Sequence, residues 1–278
     1  FETIIFEKNK VPGGECMGWK RDNFTIDNCI RWLTDSKDGS LLNQLWKNIG
    51  MLGNGVELYE RDTFYSFNMN GKTITFWRDL ERTRKERLEL APEDAEAIEK
   101  LIENVKKAEC RRVPIKKPND KMSPKDFVEM ASSMRGVPAV EKAYKGMSIE
   151  DLAESFNNPI ISKAIRSIIF EGNRASAFIF SYATITGGNG DIPLGGSQEA
   201  ALRIADRYRM LGGGLRLGTP VRNIVIKKNR AIGVELEGGY QMEADYVICA
   251  TDLNHIFSQL LPNKYMPQFL KDKFKNPD

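Results

Sequence analysis

The chain has 278 residues, of which 41% are hydrophobic and 28% are charged, so it can bury a large core and has the composition of a globular protein. With 41 Lys and Arg residues against 38 Asp and Glu, its net charge of +3 is too small to favour nucleic acid as a partner. No stretch approaches the roughly 18 consecutive apolar residues that a membrane-spanning helix needs.

The first predicted element is the apolar run Thr3 to Phe6, which ends at Glu7. A short, β-branched, continuously apolar run is typical of a strand that is buried on both faces of a parallel sheet. A carboxylate at the carboxyl end of such a strand is placed to accept hydrogen bonds from the two hydroxyls of a nucleotide ribose. That role belongs to the second strand of a nucleotide-binding unit. Neither a first strand nor a glycine-rich turn precedes Thr3, so we expect the sequence to begin one βα unit late.

Local signals next predict a helix and a hairpin. Residues 18–27 are expected to form a loop that leads into a short strand. Apolar residues at helical spacing predict a helix from Leu41 to Ile49 with Ser40 as its N-cap. Two alternating runs, Thr63–Asn68 and Lys72–Trp77, flank the turn dipeptide Asn70-Gly71 and predict a β-hairpin.

The middle of the chain is predicted to be mainly helical. The mixed-charge run Arg78–Arg87 is interpreted as the solvated face of a helix. A further helix is expected from Pro92, because proline favours the first helical position. Its apolar residues share one face, namely Ala95, Ile98, Leu101, Ile102 and Val105. Residues 113–138 are expected to form a mobile connection that contains a short helix over 125–132, and three more helices are expected over 148–156, 159–170 and 176–184.

The last third of the chain returns to strands. Residues 187–196 are predicted to be a glycine-dense loop, after which Ser197 caps an amphipathic helix that runs to Leu211. Strands are then expected over 215–217, 221–227 and 231–236. A turn at Gly238-Gly239 and a final buried strand from Ala244 to Ala250 complete the pattern.

Few residues suggest protein-based catalysis. No Ser, His and Asp set of the hydrolase type is recognisable, and no metal-ligand spacing is present. The one histidine, His255, is interpreted as a surface or capping residue. The four cysteines are widely separated and have no CxxC pairing, so we expect reduced thiols of an intracellular protein.

Several segments, taken in order, resemble one family. They are Ile4 to Asn9 with Pro12 to Cys16, then Phe24 to Asp27, Pro193 to Ser197, Thr219 to Ile224, Ala231 to Leu236 and Ala244 to Asp252. Together they resemble the flavin-dependent oxidoreductases of the phytoene desaturase, carotenoid isomerase and retinol saturase type, which are related to amine oxidases. The family also has an N-terminal GxGxxG turn and a C-terminal flavin motif, and neither is present in this sequence.

The resemblance implies roles in binding FAD. Glu7 would hold the adenosine ribose, and Gly13 and Gly14 would let the backbone approach the cofactor because they carry no side chain. Glu15 stands where relatives often have an arginine that faces the pyrophosphate, so Lys8 or Arg21 would have to compensate. Cys16 would lie near the flavin or merely fill a loop.

The resemblance adds three residues from the last third of the chain to this implied site. Val221 matches a residue whose backbone contacts the adenine, and Ala250 and Thr251 match a strand end close to the flavin. No side chain is singled out as a catalytic acid or base, because the flavin would carry the chemistry.

The resemblance implies an α/β fold, with a partial Rossmann-like FAD-binding domain and an inserted helical and antiparallel-sheet lobe. We expect FAD-binding segments over 1–60 and 187–256, a substrate lobe over 61–186, and the start of a return to that lobe over 257–278. The implied activity is desaturation, saturation or isomerisation of an apolar, polyene-type substrate, in the cytoplasm or at a membrane surface. The alternative is a truncated or degenerate homologue that binds nucleotide weakly or not at all. An NAD-dependent dehydrogenase fits the Pro-Gly-Gly segment less well.

Overall fold

The computed structural model of the chain describes residues 1–53, 55–113 and 117–275. Its strands are β1 (Ile4–Phe6), β2 (Gly18–Arg21), β3 (Phe24–Asp27), β4 (Leu33–Thr34), β5 (Leu58–Tyr59), β6 (Thr63–Met69), β7 (Lys72–Trp77), β8 (Gly190–Pro193), β9 (Gly214–Arg216), β10 (Val221–Lys227), β11 (Arg230–Leu236) and β12 (Gln241–Glu243). Its α-helices are α1 (Leu41–Asn48), α2 (Leu80–Leu90), α3 (Ala95–Ala108), α4 (Pro124–Ser133), α5 (Val137–Ala143), α6 (Ile149–Glu154), α7 (Pro159–Ile168), α8 (Ala175–Thr186), α9 (Gly196–Met210), α10 (Leu253–His255) and α11 (Gln268–Lys275).

The chain divides into two compact units. The first comprises Phe1–Glu15 and Ala201–Asp278, and the second comprises Cys16–Ala200. The mixture of helices with both parallel and antiparallel strands confirms the predicted α/β class. The functional assignment of the segments 1–60, 61–186, 187–256 and 257–278 stays a prediction.

The first unit contains two small sheets. β1 pairs with β9 in parallel, with Ile5 opposite Leu215, and β10, β11 and β12 form an antiparallel sheet. The small core of this unit is built around Ile224, Ile256 and Leu260. The chain reversal at Gly238-Gly239, where φ is +95° and +83°, confirms the predicted turn.

Two strand predictions in the first unit need correction. β1 is a parallel strand as expected, but it is not buried, because Ile4 and Ile5 are 38% and 46% exposed. Its one ladder partner among the described residues is β9, whereas burial of a parallel strand needs elements on both faces of the sheet. Residues 244–250 do not form the predicted buried strand, since no described strand pairs with them, and Ile248 is 90% exposed.

The second unit holds the main hydrophobic core. Helices α3, α5, α6, α7 and α8 pack with the hairpin of β6 and β7 around side chains that are almost completely buried. Phe64 stacks on Tyr182 with ring centroids 5.0 Å apart, and Phe178 meets both rings edge-on. The predicted apolar face of α3 is confirmed, because Ile98, Leu101, Ile102 and Val105 all lie in this core.

Most local predictions in the second unit are confirmed. Ser40 caps α1 by accepting a hydrogen bond from the Asn43 N–H, and Asn70 and Gly71 both have positive φ, as a two-residue hairpin turn requires. The short helix in the predicted connection is α4, capped by Ser123, and the helices expected over 148–156, 159–170 and 176–184 are α6, α7 and α8. Residues 114–116 of that connection lie outside the described residues.

Three details of the second unit differ from prediction. Residues 18–21, expected as loop, form β2 and pair with β3, because the turn at Asp22 adopts a positive φ and reverses the chain. The predicted glycine-dense loop contains β8, which lies between β4 and β5. Arg87 is not on a solvated face but is 4% exposed, and its guanidinium donates to the Thr75 carbonyl and lies over the Phe76 ring.

Candidate functional site

The carboxyl end of β1 carries the central residue of the predicted cofactor site. Glu7 follows β1 and is half-buried. Its peptide N–H donates to the Arg216 carbonyl and its own carbonyl accepts from the Thr219 N–H, both at 2.9 Å. Its Oε1 accepts a 2.8 Å hydrogen bond from the Asn9 N–H. The backbone on both sides of Glu7 is therefore fixed, and its carboxylate is held by a local turn.

The same bonds bring distant predicted residues together. Gly218 donates a 2.8 Å hydrogen bond to the Asn9 carbonyl, so the loop before β10 runs beside the loop after β1. Val221, the first residue of β10, lies two residues beyond the Thr219 that bonds Glu7. The structure thus joins the strand end at Glu7 to the start of β10 within the first unit. Lys8 lies beside Glu7 and is exposed.

The glycine turn after β1 has the backbone geometry that the cofactor role needs. Gly13 and Gly14 have φ of +118° and +56°, values that favour glycine over residues with side chains. A Cβ placed on Gly14 would meet no atom within 4 Å, so this backbone faces open space. Glu15 follows and is exposed, which puts a carboxylate beside the turn.

The remaining predicted site residues are Ala250, Thr251 and Cys16. Ala250 is the last residue of the segment that does not form the expected strand, and Thr251 follows it. Both are exposed, and no hydrogen bond among the described residues links them to Glu7. Cys16 is the first residue of the second unit, where its Sγ lies 3.7 Å from the Cys29 Sγ. All four cysteines are in the reduced state, as predicted.

The residues around Glu7 fit the adenosine half of FAD. A strand-end carboxylate with one oxygen bonded to Asn9 retains acceptor capacity on the other for a ribose hydroxyl. The open glycine turn allows close approach of a cofactor to the backbone. Glu15 is the unfavourable element, because its charge repels a pyrophosphate, and Lys8 is the cation nearest in sequence to Glu7 that can offset it.

A polar network in the second unit was missed from the sequence. The Asp27 carboxylate accepts from the Ser197 N–H at 2.6 Å, from the Ser197 hydroxyl and from the Cys29 N–H at 2.9 Å. Desolvation opposes the charged form of Asp27, but the hydrogen bonds from Cys29 and Ser197 outweigh it and lower the pKa of this carboxyl. Asp27 thereby performs the capping role predicted for Ser197, which instead lies within the first turn of α9.

The second unit also contains a buried charge cluster. Asp191 is 5% exposed, accepts a 2.7 Å hydrogen bond from the Ser36 hydroxyl and pairs with Arg78 at 3.1 Å. Arg61 lies nearby, and desolvation lowers its pKa while the charge of Asp191 raises it, with a net lowering. A cavity of about 480 Å³ is lined in part by Ser36, Arg78 and Asp191. In the sequence, Asp191 is only an aspartate in a glycine-rich segment. Such a segment predicts a turn and gives no indication of a buried charge cluster.

Two further features concern metal-ligating side chains and the length of the helices. In the part of the chain that the structure describes, His, Cys, Asp and Glu side chains nowhere gather in threes in a way that could hold a metal ion. None of the described helices is long and apolar enough to cross a membrane.

Comparison with known proteins gives a consistent result. A family model described as flavin containing amine oxidoreductase matches residues 1–277. A lycopene-forming phytoene desaturase from Paracoccus is 22% identical over 268 residues, which are 93% of this chain and 52% of that protein. A neurosporene-forming phytoene desaturase from Cereibacter sphaeroides is 23% identical over 275 residues, which are 95% of this chain and 51% of that protein.

Other matches cover shorter segments or show the fold alone. An all-trans-zeta-carotene desaturase from Myxococcus xanthus is 37% identical over 68 residues, which are 24% of this chain and 13% of that protein. Solved structures of a Pyrococcus furiosus protein and a Methanosarcina mazei oxidoreductase match with TM-scores of 0.50 at 15% and 18% identity. Each covers 99% of this chain, which in turn covers 59% and 58% of them. The chain thus spans about half the length of the two phytoene desaturases.

Proposed function

Because this chain belongs to the flavin containing amine oxidoreductase family, we propose that it acts as an FAD-dependent oxidoreductase on an apolar substrate of the polyene class. The family match confirms the predicted family, and membership of it supports an oxidoreductase that uses a flavin. The substrate class is inferred from the similarity to the two phytoene desaturases.

The observation that carries the proposal is the fixed position of Glu7 at the carboxyl end of the parallel pair β1 and β9. In open parallel sheets, nucleotides bind outside the carboxyl ends of the strands, where an acidic residue accepts the ribose hydroxyls. The backbone bonds to Arg216 and Thr219 hold Glu7 there without using its carboxylate.

Each residue of the proposed site has a role that follows from its chemistry. Glu7 binds the ribose, Gly13 and Gly14 bring backbone close to the cofactor, and Lys8 offsets negative charge. Val221 is the first residue of β10, and its backbone contacts the adenine in this proposal. Once bound, FAD supplies the hydride-accepting chemistry.

Optical spectroscopy tests this function. The purified chain is incubated with FAD, separated from excess cofactor by gel filtration and measured in the visible range. A retained flavin spectrum that bleaches under anaerobic incubation with phytoene in detergent micelles is the expected result. A protein fraction that stays colourless would overturn flavin binding by this chain.

A second candidate function is nucleotide binding without turnover. It is favoured by the exposure of Tyr246 and Ile248, at 81% and 90%, in the segment predicted to end beside the flavin. In that case the chain retains FAD, but its spectrum does not bleach with phytoene or with other polyenes. The same measurement therefore separates the two candidates.

The proposal includes contact with a membrane surface, where apolar polyenes dissolve. Helix α11 exposes Phe269 and Phe274, at 64% and 43%, alongside Lys273 and Lys275. Exposed aromatic side chains next to lysines are typical of helices that lie on anionic lipid.

A further inference from the structure

The hairpin of β2 and β3 places two cysteines opposite each other. Its register pairs Arg21 with Phe24 at the turn and Gly18 with Asp27 at the open end. The next opposing pair is Met17 and Asn28, joined by a 3.2 Å hydrogen bond from the Asn28 N–H to the Met17 carbonyl. If the register is extended by one more residue on each strand, Cys16 lies opposite Cys29.

The type of pairing favours a bond between the two side chains. Hydrogen-bonded and non-hydrogen-bonded pairs alternate along an antiparallel ladder, so the position beyond Met17 and Asn28 is non-hydrogen-bonded. Opposing Cα atoms at such a position lie about 4.5 Å apart, within the range of about 4.4–6.8 Å that disulfides span. The two Sγ atoms are 3.7 Å apart, so they need to approach each other by about 1.7 Å to reach the S–S bond length of about 2.05 Å.

The thiols are accessible to small molecules in solution, and hydrogen bonds hold the backbone at Cys29. Cys29 is exposed and Cys16 is half-buried. The Cys29 N–H is bonded to Asp27, whose carboxylate also holds Ser197, so the backbone beneath the thiol is anchored. Of the other cysteines, Cys110 has its thiol against the carbonyls of Lys107 and Arg135, and Cys249 belongs to the first unit.

We propose that Cys16 and Cys29 form a reversible dithiol–disulfide site that is oxidised by a small-molecule disulfide of the glutathione type. The Cys29 thiolate attacks one sulfur of oxidised glutathione, which forms a mixed disulfide and releases one glutathione thiolate. The Cys16 thiolate then attacks the Cys29 Sγ, which forms the Cys16–Cys29 bond and releases the second glutathione. The two thiol protons pass to the two leaving thiolates, so the protein is oxidised by two electrons and the reagent is reduced by two.

Peptide mapping tests this site in the intact chain. The protein is equilibrated with oxidised glutathione, remaining thiols are alkylated, and the product is digested with trypsin. Cleavage after Lys10, Lys20, Arg21 and Arg31 puts Cys16 in peptide 11–20 and Cys29 in peptide 22–31. The expected product is these two peptides joined and two hydrogens lighter than their sum, and dithiothreitol should separate them.

Matched variants distinguish this bond from general oxidation. Cys16→Ser should leave Cys29 as a stable mixed disulfide with glutathione, because the resolving thiol is gone. Cys110→Ser should leave the joined peptides unchanged. Persistent glutathione on Cys29 of the unaltered chain, a bridge to Cys110 or Cys249, or full alkylation of both thiols would overturn the proposal. None of these outcomes depends on whether the chain binds FAD.

Discussion

The Thr219 N–H donates a 2.9 Å hydrogen bond to the Glu7 carbonyl and so joins the end of the first strand to the loop before β10. This bond connects residues 212 positions apart, from Glu7 to Thr219, and it orients the segment that carries the Glu7 carboxylate. The proposed ribose site depends on this connection. If the segment were disordered, binding the ribose would also have to offset the conformational entropy lost on ordering it.

Replacement of Glu7 by glutamine should weaken FAD binding about tenfold, since a hydrogen bond to a charged group contributes roughly 1.5–3 kcal/mol and glutamine keeps part of it. Fluorescence quenching of FAD measures the dissociation constant. Glu2→Gln, an exposed change just before the same strand, is the control and should leave affinity unchanged. Equal affinities for all three proteins would contradict the assigned role of Glu7.

Gly14→Ala should destabilise the chain by about 1 kcal/mol, because alanine is strained at a φ of +56°. It should also weaken FAD binding, as the added methyl group occupies the open space beside the turn. Urea unfolding gives the free energy. Gly53→Ala serves as control, because a Cβ there also meets no atom within 4 Å but the φ is not in the left-handed region. A Gly14 variant as stable as the control would refute the strain argument.

Tyr182→Phe should lower the free energy of unfolding by about 1–2 kcal/mol. The buried hydroxyl lies 2.7 Å from the Trp77 carbonyl and 2.8 Å from the Thr83 hydroxyl, and its loss leaves these groups short of a partner. Chemical denaturation measures the change. Tyr59→Phe, at a side chain that is 56% exposed, should change stability far less. Equal effects of the two substitutions would argue against a structural role for the Tyr182 hydroxyl.

Acid should destabilise the second unit partly through Asp27. The pKa of this carboxyl is lower in the folded chain than its ordinary value of 3.8, so its contribution to stability is present above pH 3.8 and is lost as the pH falls through the folded pKa. Asp27→Asn should therefore reduce stability at neutral pH and flatten its acid dependence. Thermal unfolding between neutral and acid pH measures both. An unchanged pH profile for the Asp27 variant would contradict the assignment.

The membrane proposal predicts binding to vesicles that contain phosphatidylglycerol. Phe269→Ser combined with Phe274→Ser should reduce the bound fraction severalfold in a flotation assay, because the apolar anchor of α11 is removed. Phe127→Ser in α4, at a side chain that is 45% exposed, is the matched control. Equal binding of the two variants would exclude α11 as the contact.

Elements with strong local signals were predictable. The Asn70-Gly71 turn fixes its own hairpin, since both residues adopt the positive φ that the turn requires. The one-sided spacing of Ile98, Leu101 and Val105 specified which face of α3 is buried. At the candidate site, the strand-end position of Glu7 and the need for glycine at Gly13 and Gly14 were also accessible from the sequence.

By itself, the sequence determined the local features, namely turns, helix caps and the buried faces of helices. Residues close together in the chain specify these through their own backbone preferences and spacing. Tertiary structure alone decided that Asp27 bonds Ser197, that Cys16 faces Cys29 and that Arg87 is buried. It also decided that residues 244–250, apolar enough for a buried strand, lie outside every ladder described. A strand exists only when another strand supplies its hydrogen bonds, and a charge is buried only when distant groups surround it. The packing of the whole chain determines which strand pairs with which and which groups surround a buried charge. The local sequence therefore does not predict them.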